Sequence, residues 1–281
     1  MSTAHSGRRV EAEIRLRETL AMDDFDLLEA AFWIAVPEYP DLDVSREVAR
    51  VHFLASEGAR RVHERANPFA RIDGLRAFVF EELGFAGSVH NYHDPRNSYM
   101  NEVLNRRIGV PLTLSLLFME IARAAGYEVT GVGLPGHFVL RLAYGGRELL
   151  VDPFHGGRVI TEEDCRNLVM RTTGRPIFRR EHLQGVGQRT MLRRMLLNLK
   201  HVYVRLGEYD RALSMVEKLL LITPGDVSEV RDRGFLQAYL GRPGAAITDL
   251  ETYLTATPDA PDSPSVRGRV VLLRRRLSDM N

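Results

Sequence analysis

The chain has 281 residues, of which 44% are hydrophobic and 27% charged, and this size suits one large globular domain or two smaller ones. Its 38 basic and 37 acidic residues nearly cancel, so the net charge offers no attraction to nucleic acid. A single cysteine excludes an internal disulfide framework and a cysteine-based zinc cluster. Because the first residues lack an apolar leader and no long apolar run follows, we expect a cytoplasmic protein with no membrane contact.

The first third of the chain is predicted to be helical. Residues 1–10 are expected to form a disordered tail. Apolar residues then recur at helical spacing in four segments, 11–22, 25–35, 44–66 and 72–83. A loop rich in glycine, asparagine, histidine and proline follows over 85–99. We expect these helices to shield a sheet and to form one wall of a cleft.

The most apolar segment lies in the middle of the chain and begins at Pro111. Proline suits the first turn of a helix, because its missing N–H has no partner there. The side chains that follow are apolar on nearly every side, which is typical of a helix buried inside a domain, and Gly126 is placed to end it. Three strands are expected next, over 127–134, 137–143 and 148–154.

A two-glycine turn fixes the register of the last two strands. Tyr144 would face Arg147, so the numbers of paired residues sum to 291. This register places His137 and Asp152 on one face, as diagonal neighbours that reach each other. Such a pair is half of a nucleophile–His–Asp triad, in which the carboxylate orients the imidazole and the imidazole acts as the base. The alternative is a structural hydrogen bond in a fold without activity.

These motifs together resemble the transglutaminase-like, or papain-like, core. In that family a Gly-Val-Cys motif puts the nucleophilic cysteine at the start of the buried helix, and here Pro111 occupies the matching position of Gly-Val-Pro. A fuller pattern resembles the bacterial SirB-type proteins and a similar domain in an F-box protein of animals. Its parts are Asn97-Ser98-Tyr99, Leu104 to Pro111, Pro135-Gly136-His137-Phe138 and Asp152-Pro153-Phe154. The resemblance implies an α+β fold: a helical N-terminal layer and a buried helix on an antiparallel sheet.

Proline has no reactive atom, so a nucleophile would have to come from elsewhere. Thr113 and Ser115 lie on the same helix and are candidate substitutes, although helical hydroxyls more often bond to their own backbone. An activated water is a further alternative. Cys165 follows the core in sequence, outside the inferred cleft, and we expect it to be an inert thiol.

Other polar residues near the core give two more hypotheses. Asn97, Asn101 and Asn105 recur every four residues, and they would either line the cleft or cap loops. A metal site would draw on histidines and aspartates, namely His90, His93, His137, His155, Asp94 and Asp152. No two of these have the spacing of a known site, so we predict neither a metal nor a cofactor.

The last third of the chain contains a repeat. Gly207, Ala212 and Pro224 recur 34 residues later as Gly241, Ala246 and Pro258, and this is the period of the tetratricopeptide repeat. We therefore predict two domains, a SirB-type transglutaminase-like domain over 11–188 and an all-α tetratricopeptide domain over 189–281. The repeats and the capping helix are placed at about 192–225, 226–259 and 265–280.

The first repeat helix is expected to line a concave groove. Its polar side chains are Arg193, Arg194, Asn198, His201 and Arg205, which favour an acidic peptide or a chain terminus. We therefore predict a non-catalytic protein-interaction or regulatory scaffold that binds a protein partner through its tail. The alternative is a hydrolase or acyltransferase that uses His137 and Asp152 with a non-cysteine nucleophile or an activated water. The arginines of the last helix are expected to be a solvated face, without a nucleic-acid partner.

Overall fold

A computed structural model describes residues 3–65 and 67–279. The chain forms two compact units, Met1–Met195 and Leu196–Asn281. The first unit combines helices with an antiparallel sheet, and the second is helical, so the predicted α+β class with a helical tail is confirmed. In the described part of the chain, no helix is both long and apolar enough to cross a bilayer.

The N-terminal layer contains four α-helices. They are α1 (Thr3–Ala21), α2 (Leu27–Ala35), α3 (Val44–Val62) and α4 (Pro68–Arg76). The prediction of a disordered tail is wrong for residues 3–10, which form the first turns of α1; residues 1 and 2 lie outside the described residues. Long-range contacts anchor this segment, because Arg8 donates hydrogen bonds to the carbonyl oxygens of Pro40 (2.9 Å) and Leu42 (2.6 Å).

Short elements lead from this layer to the central helix. Strand β1 (Ala86–Gly87) pairs in parallel with β2 (Ile108–Gly109), and helix α5 (Met100–Arg106) lies between them in sequence. Helix α6 (Pro111–Ala124) then begins with the predicted proline at its first position. Most of its own side chains are buried, as predicted. Helix α3 packs closely against it at Gly58, because a Cβ atom added to this glycine would lie only 2.7 Å from Cγ2 of Ile121.

The main sheet has five strands in the order β6-β5-β4-β3-β7. Their bounds are β3 Glu128–Val132, β4 Val139–Tyr144, β5 Arg147–Asp152, β6 Arg158–Ile160 and β7 Gly185–Val186. Tyr144 pairs with Arg147 and Leu140 with Val151, so the predicted register is confirmed. Helix α7 (Glu162–Thr173) follows β6 and opens with a cap in which the Thr161 hydroxyl accepts the N–H of Asp164.

The last part of the chain is helical, and the division between the two units falls after Met195, seven residues beyond the predicted boundary at 188. Helix α8 (Gln188–Leu206) begins in the first unit and ends in the second, followed by α9 (Tyr209–Ile222), α10 (Val227–Tyr239), α11 (Pro243–Ala256) and α12 (Ser263–Asp279). Gly207 and Gly241 have left-handed backbones, with φ values of 73° and 71°, where each repeat turns between its helices. Ala212 and Ala246 are fully buried, as the close approach of paired helices requires.

Candidate functional site

His137 and Asp152 meet where two strands of the sheet come together. His137 follows a turn at Pro135-Gly136 and precedes β4, and Asp152 is the last residue of β5. The His137 Nε2 atom lies 3.1 Å from Oδ1 and 3.0 Å from Oδ2 of Asp152, so the predicted contact is present. Only 4% of His137 and 1% of Asp152 are exposed. Asp152 therefore contacts Nε2 of His137 and not its Nδ1 atom.

The Asp152 carboxylate also binds a second imidazole. His155 Nδ1 lies 2.7 Å from Oδ2, and the backbone N–H groups of Phe154 and His155 donate to Oδ1 at 3.1 and 3.3 Å. Burial alone would raise the pKa of this carboxyl, but the hydrogen bonds from His137 and His155 outweigh burial and hold the pKa well below its usual value. Asp152 is thus an ionised carboxylate that bridges two imidazoles.

His155 was named above only as one of several potential metal ligands, and its contact with Asp152 was not predicted, although a local sequence signal was present. Asp152 caps the short 3-10 helix Pro153–His155, and this turn brings the side chain three residues later back to the carboxylate. The Asp-Pro-x-His sequence could therefore have indicated a His–Asp–His group.

The same three residues are the candidate metal ligands that the fold brings together. One ligand atom from each of His137, Asp152 and His155 lies within 4.8 Å of the others. Two imidazoles and a carboxylate are a set that zinc accepts. Both carboxylate oxygens, however, already accept hydrogen bonds from N–H groups, and a metal would have to displace the imidazole protons. Asp94 instead pairs with Arg96 at 2.7 Å.

A buried proline occupies the position at which the resemblance implies a nucleophile, and the nearby hydroxyl of Thr113 has a structural role. Pro111 is the first residue of α6 and offers no atom that can attack a substrate. The Thr113 hydroxyl lies 2.9 Å from the carbonyl oxygen of Asn97 and 3.1 Å from the backbone nitrogen of Val110, so it caps the helix.

Ser115 lies two residues after Thr113 on α6 and is fully buried. Its hydroxyl has no hydrogen-bond partner among the described residues. A buried hydroxyl without a partner is a cost to the folded state.

We therefore expect Ser115→Ala to leave the free energy of unfolding unchanged or to raise it by up to about 1 kcal/mol, because the variant removes an unpaired polar atom. Urea denaturation measures this change. Thr113→Val is the matched control and should cost about 1 kcal/mol, since it removes a hydroxyl that caps the helix. A clear destabilisation by Ser115→Ala would contradict this assignment and indicate a partner for its hydroxyl.

The thiol of Cys165 is not placed for chemistry. It is fully buried on α7, and burial raises its pKa to about 11. A thiol with so high a pKa carries almost no thiolate at neutral pH. The structure therefore agrees with the expectation of an inert cysteine.

The three asparagines do not lie on one continuous helix, because Tyr99 is extended between the short helix Pro95–Asn97 and α5. Asn97 ties loops together by donating to the Ser88 hydroxyl at 2.9 Å and to the Asn91 carbonyl at 2.7 Å. Asn105 is exposed and accepts a hydrogen bond from Arg50. Asn101 is buried, and its side-chain oxygen has no partner in the described chain. The described bonds of Asn97 thus favour the loop-capping alternative over a cleft lining.

Arg194 was predicted to line the tetratricopeptide groove, and the structure corrects this prediction. It belongs to the part of α8 that lies in the first unit, and its Nη2 atom donates to the carbonyl oxygens of Leu134 (3.0 Å) and His137 (2.9 Å). Arg194 therefore holds the turn that carries His137. Of the other predicted groove residues, Arg193 is half-buried and also lies in the first unit. Asn198 is half-buried in the second unit, and His201 and Arg205 are exposed there.

Two aromatic rings that were not predicted to belong to the site, Phe154 and Tyr92, lie beside the His–Asp–His group. The Phe154 ring centroid lies 5.7 Å from that of His137 and 5.1 Å from that of His155. Tyr92 meets Phe154 edge to face at 6.3 Å and is 39% exposed. These rings give the site an apolar wall that reaches the surface.

Comparison with known proteins agrees with this architecture. Residues 46–197 match the transglutaminase-like superfamily, and residues 199–270 match a tetratricopeptide repeat. The UPF0162 protein of Xylella fastidiosa is 34% identical over 257 residues, which cover 90% of this chain and 92% of that protein. Protein SirB1 of Salmonella typhimurium is 25% identical over 236 residues, or 83% of this chain and 86% of that protein.

A third relative matches a smaller share of the chain. F-box only protein 21 of Mus musculus is 26% identical over 181 residues, which cover 60% of this chain and 28% of that protein. The helices and antiparallel sheet of the first unit and the helical tail agree with the two family matches. The chain belongs to the transglutaminase-like superfamily and has the SirB-type architecture, in which a transglutaminase-like domain is followed by tetratricopeptide repeats.

Proposed function

We propose that this chain is a non-catalytic transglutaminase-like protein that acts as a protein-interaction or regulatory scaffold. The observation that carries the proposal is Pro111, which stands where the superfamily places its cysteine. The remaining candidates support it, because Thr113 caps a helix and Cys165 is a buried thiol of raised pKa. A His–Asp pair without a neighbouring thiol or hydroxyl nucleophile can orient and bind a group but lacks the atom on which the Ser–His and Cys–His enzymes form their acyl intermediate.

The repeat tail is the proposed docking module. Asn198, His201 and Arg205 lie three to seven positions apart on α8 and so share one side of the helix. The basic character of this side is weaker than the sequence indicated, because Arg194 lies in the first unit. The nearby Lys200 is also neutralised, at 2.7 Å from Glu229 and 2.8 Å from Asp232. We propose that this side binds an acidic segment of a partner protein by charge pairing.

The test is quantitative capture of partners from the native host by the full chain. The His201→Glu/Arg205→Glu double variant replaces the Arg205 cation and the His201 imidazole, which is neutral because partial burial lowers its pKa, with two carboxylates. Arg275→Glu, at an exposed position on α12, is the matched control. We expect the double variant to lose the salt-sensitive acidic partners and the control to retain them. Equal capture by both variants, with folding verified by circular dichroism, would exclude this side of α8 as the docking surface.

A second candidate function is hydrolysis by an activated water. The intact pair favours it, since Asp152 holds Nε2 of His137 and leaves Nδ1 available as a base. This function requires turnover of an ester or amide substrate that is lost in His137→Ala. The scaffold proposal predicts no such turnover.

A further inference from the structure

The guanidinium of Arg194 is a charge that the fold leaves unbalanced. Its two described hydrogen bonds go to neutral carbonyl oxygens and use only Nη2. In the described part of the chain no carboxylate pairs with it, and burial lowers its pKa. A partly buried cation is normally paired with an anion. The guanidinium of Arg194 is therefore suited to bind a negatively charged group from outside the chain.

The free donors of Arg194 are accessible. Its Nε and Nη1 atoms have no hydrogen-bond acceptor in the described part of the chain. Neither atom is completely buried, so both can reach a ligand at the surface. Gly133 leaves room for the guanidinium, because a Cβ atom added at this glycine would lie only 2.6 Å from Nη1 of Arg194. The guanidinium is thus held by one nitrogen and presents the remaining N–H groups to a ligand.

The surroundings of Arg194 connect it to the candidate site. Arg194 donates to the carbonyl oxygen of His137, and the His137 ring lies 5.7 Å from that of Phe154. The exposed ring of Tyr92 packs against the other side of this contact, with its centroid 6.3 Å from that of Phe154. The Asp152 carboxylate does not compensate Arg194, because it is already engaged by His137 and His155. The site therefore combines a positive charge with an apolar aromatic surface.

We infer that Arg194 and Tyr92 form a binding subsite for a carboxylate-bearing peptide, whose acidic group pairs with the guanidinium while a neighbouring apolar side chain packs on the Tyr92 ring. A guanidinium binds a carboxylate through parallel N–H groups, which gives both strength and orientation. This inference rests on the proposed function in one respect: it treats the site as one that binds a peptide without cleaving it.

The experiment titrates the full chain with short peptides and follows the imidazole signals of His137 and His155 by nuclear magnetic resonance. The probes are an aromatic–aspartate peptide with both ends blocked, an aromatic peptide with a free C-terminal carboxylate, and a neutral peptide with both ends blocked. We expect saturable shifts with the acidic probes, and their affinities distinguish a side-chain carboxylate from a chain terminus. Equal affinity for the neutral peptide would overturn the inference without any variant.

Variants of Arg194 then test whether its guanidinium binds the acidic group of the peptide. Arg194→Gln should weaken binding of the acidic peptide by about tenfold or more, because it removes the charge and the fork. Arg189→Gln is the matched control and should bind within about twofold of the wild type. Arg189 is also an arginine of α8 bonded to two carbonyl oxygens, those of Leu20 and Met22. Unchanged affinity in Arg194→Gln would overturn the inference.

Two further measurements keep the result interpretable. Arg194→Lys keeps the charge without the fork and should lie between the wild type and the glutamine variant, even if Arg194→Gln disturbs the His137 turn. Mass spectrometry of the peptides after titration separates the two proposals. Cleavage or transfer would refute the non-catalytic function and leave the subsite standing, whereas absence of binding would refute the subsite and leave the tail as the docking module.

Discussion

Replacing Pro111 with cysteine is expected to create a reactive thiol where the wild-type chain has none. Residue 111 is the first residue of α6, so the new thiol would lie at a helix N-terminus. The helix dipole stabilises a thiolate at this position, and an imidazole beside it would do the same; the resemblance implies that His137 is that imidazole. We expect iodoacetamide to label Pro111→Cys at about pH 6 roughly tenfold to a hundredfold faster than an unperturbed cysteine. Peptide mapping by mass spectrometry identifies the labelled residue.

The controls separate position from chemistry. Pro111→Cys combined with His137→Ala keeps the helix terminus and removes the imidazole, so most of the acceleration should be lost. Cys165 should remain unlabelled in every folded variant, because it is buried. A helix tolerates many residues at its first position, so the substitution should leave the fold intact. Equal labelling rates of the single and double variants would show that the His137 imidazole does not activate a thiol at residue 111.

Asp152→Asn is expected to be strongly destabilising. Two ring nitrogens and two backbone N–H groups point at the carboxylate, and its side chain is almost completely buried. An amide has only one acceptor oxygen, so at least one of these donors would face an NH2 group. Loss of a buried hydrogen-bonded charge of this kind costs about 2 to 4 kcal/mol. Urea denaturation at neutral pH measures it, and His155→Ala, which removes a single donor side chain, should cost clearly less.

The difference between wild type and Asp152→Asn should also depend on pH. The pKa of Asp152 is lower in the folded chain than its ordinary value of about 4, so the folded state favours the ionised form. This contribution is present above the unfolded pKa and is lost as the pH falls towards the folded pKa. The difference in free energy of unfolding should therefore shrink between pH 6 and about pH 3. A constant difference would show that hydrogen-bond geometry, and not charge, explains the cost.

The sequence predicted those features that depend on local signals. The two-glycine turn fixed the strand register and, with it, the contact between His137 and Asp152. A proline at the first helical position and the apolar residues that follow it identified the buried helix. The constant 34-residue spacing located the helix pairs of the tail. Each of these rests on residues close together in the chain or on a strict period.

Contacts between distant parts of the chain were not predictable in the same way. Arg194 lies 57 residues from His137, and no local pattern distinguishes an arginine that binds carbonyl oxygens from one that lines a groove. Arg8 likewise reaches residues 40 and 42, which order the first turns of α1. The third member of the His–Asp–His group was predictable in principle, because His155 lies within one turn of Asp152. There the signal was local and was not recognised.

The central claim is that the wild-type site contains a His–Asp pair without a nucleophile. The most direct test incubates the native full-length chain with a thiol-directed chloroacetamide and a hydroxyl-directed fluorophosphonate and then determines its intact mass. The account predicts an unmodified chain with both reagents, and a modified Cys165 only after unfolding. A single stoichiometric adduct on the native chain that disappears in His137→Ala would contradict it.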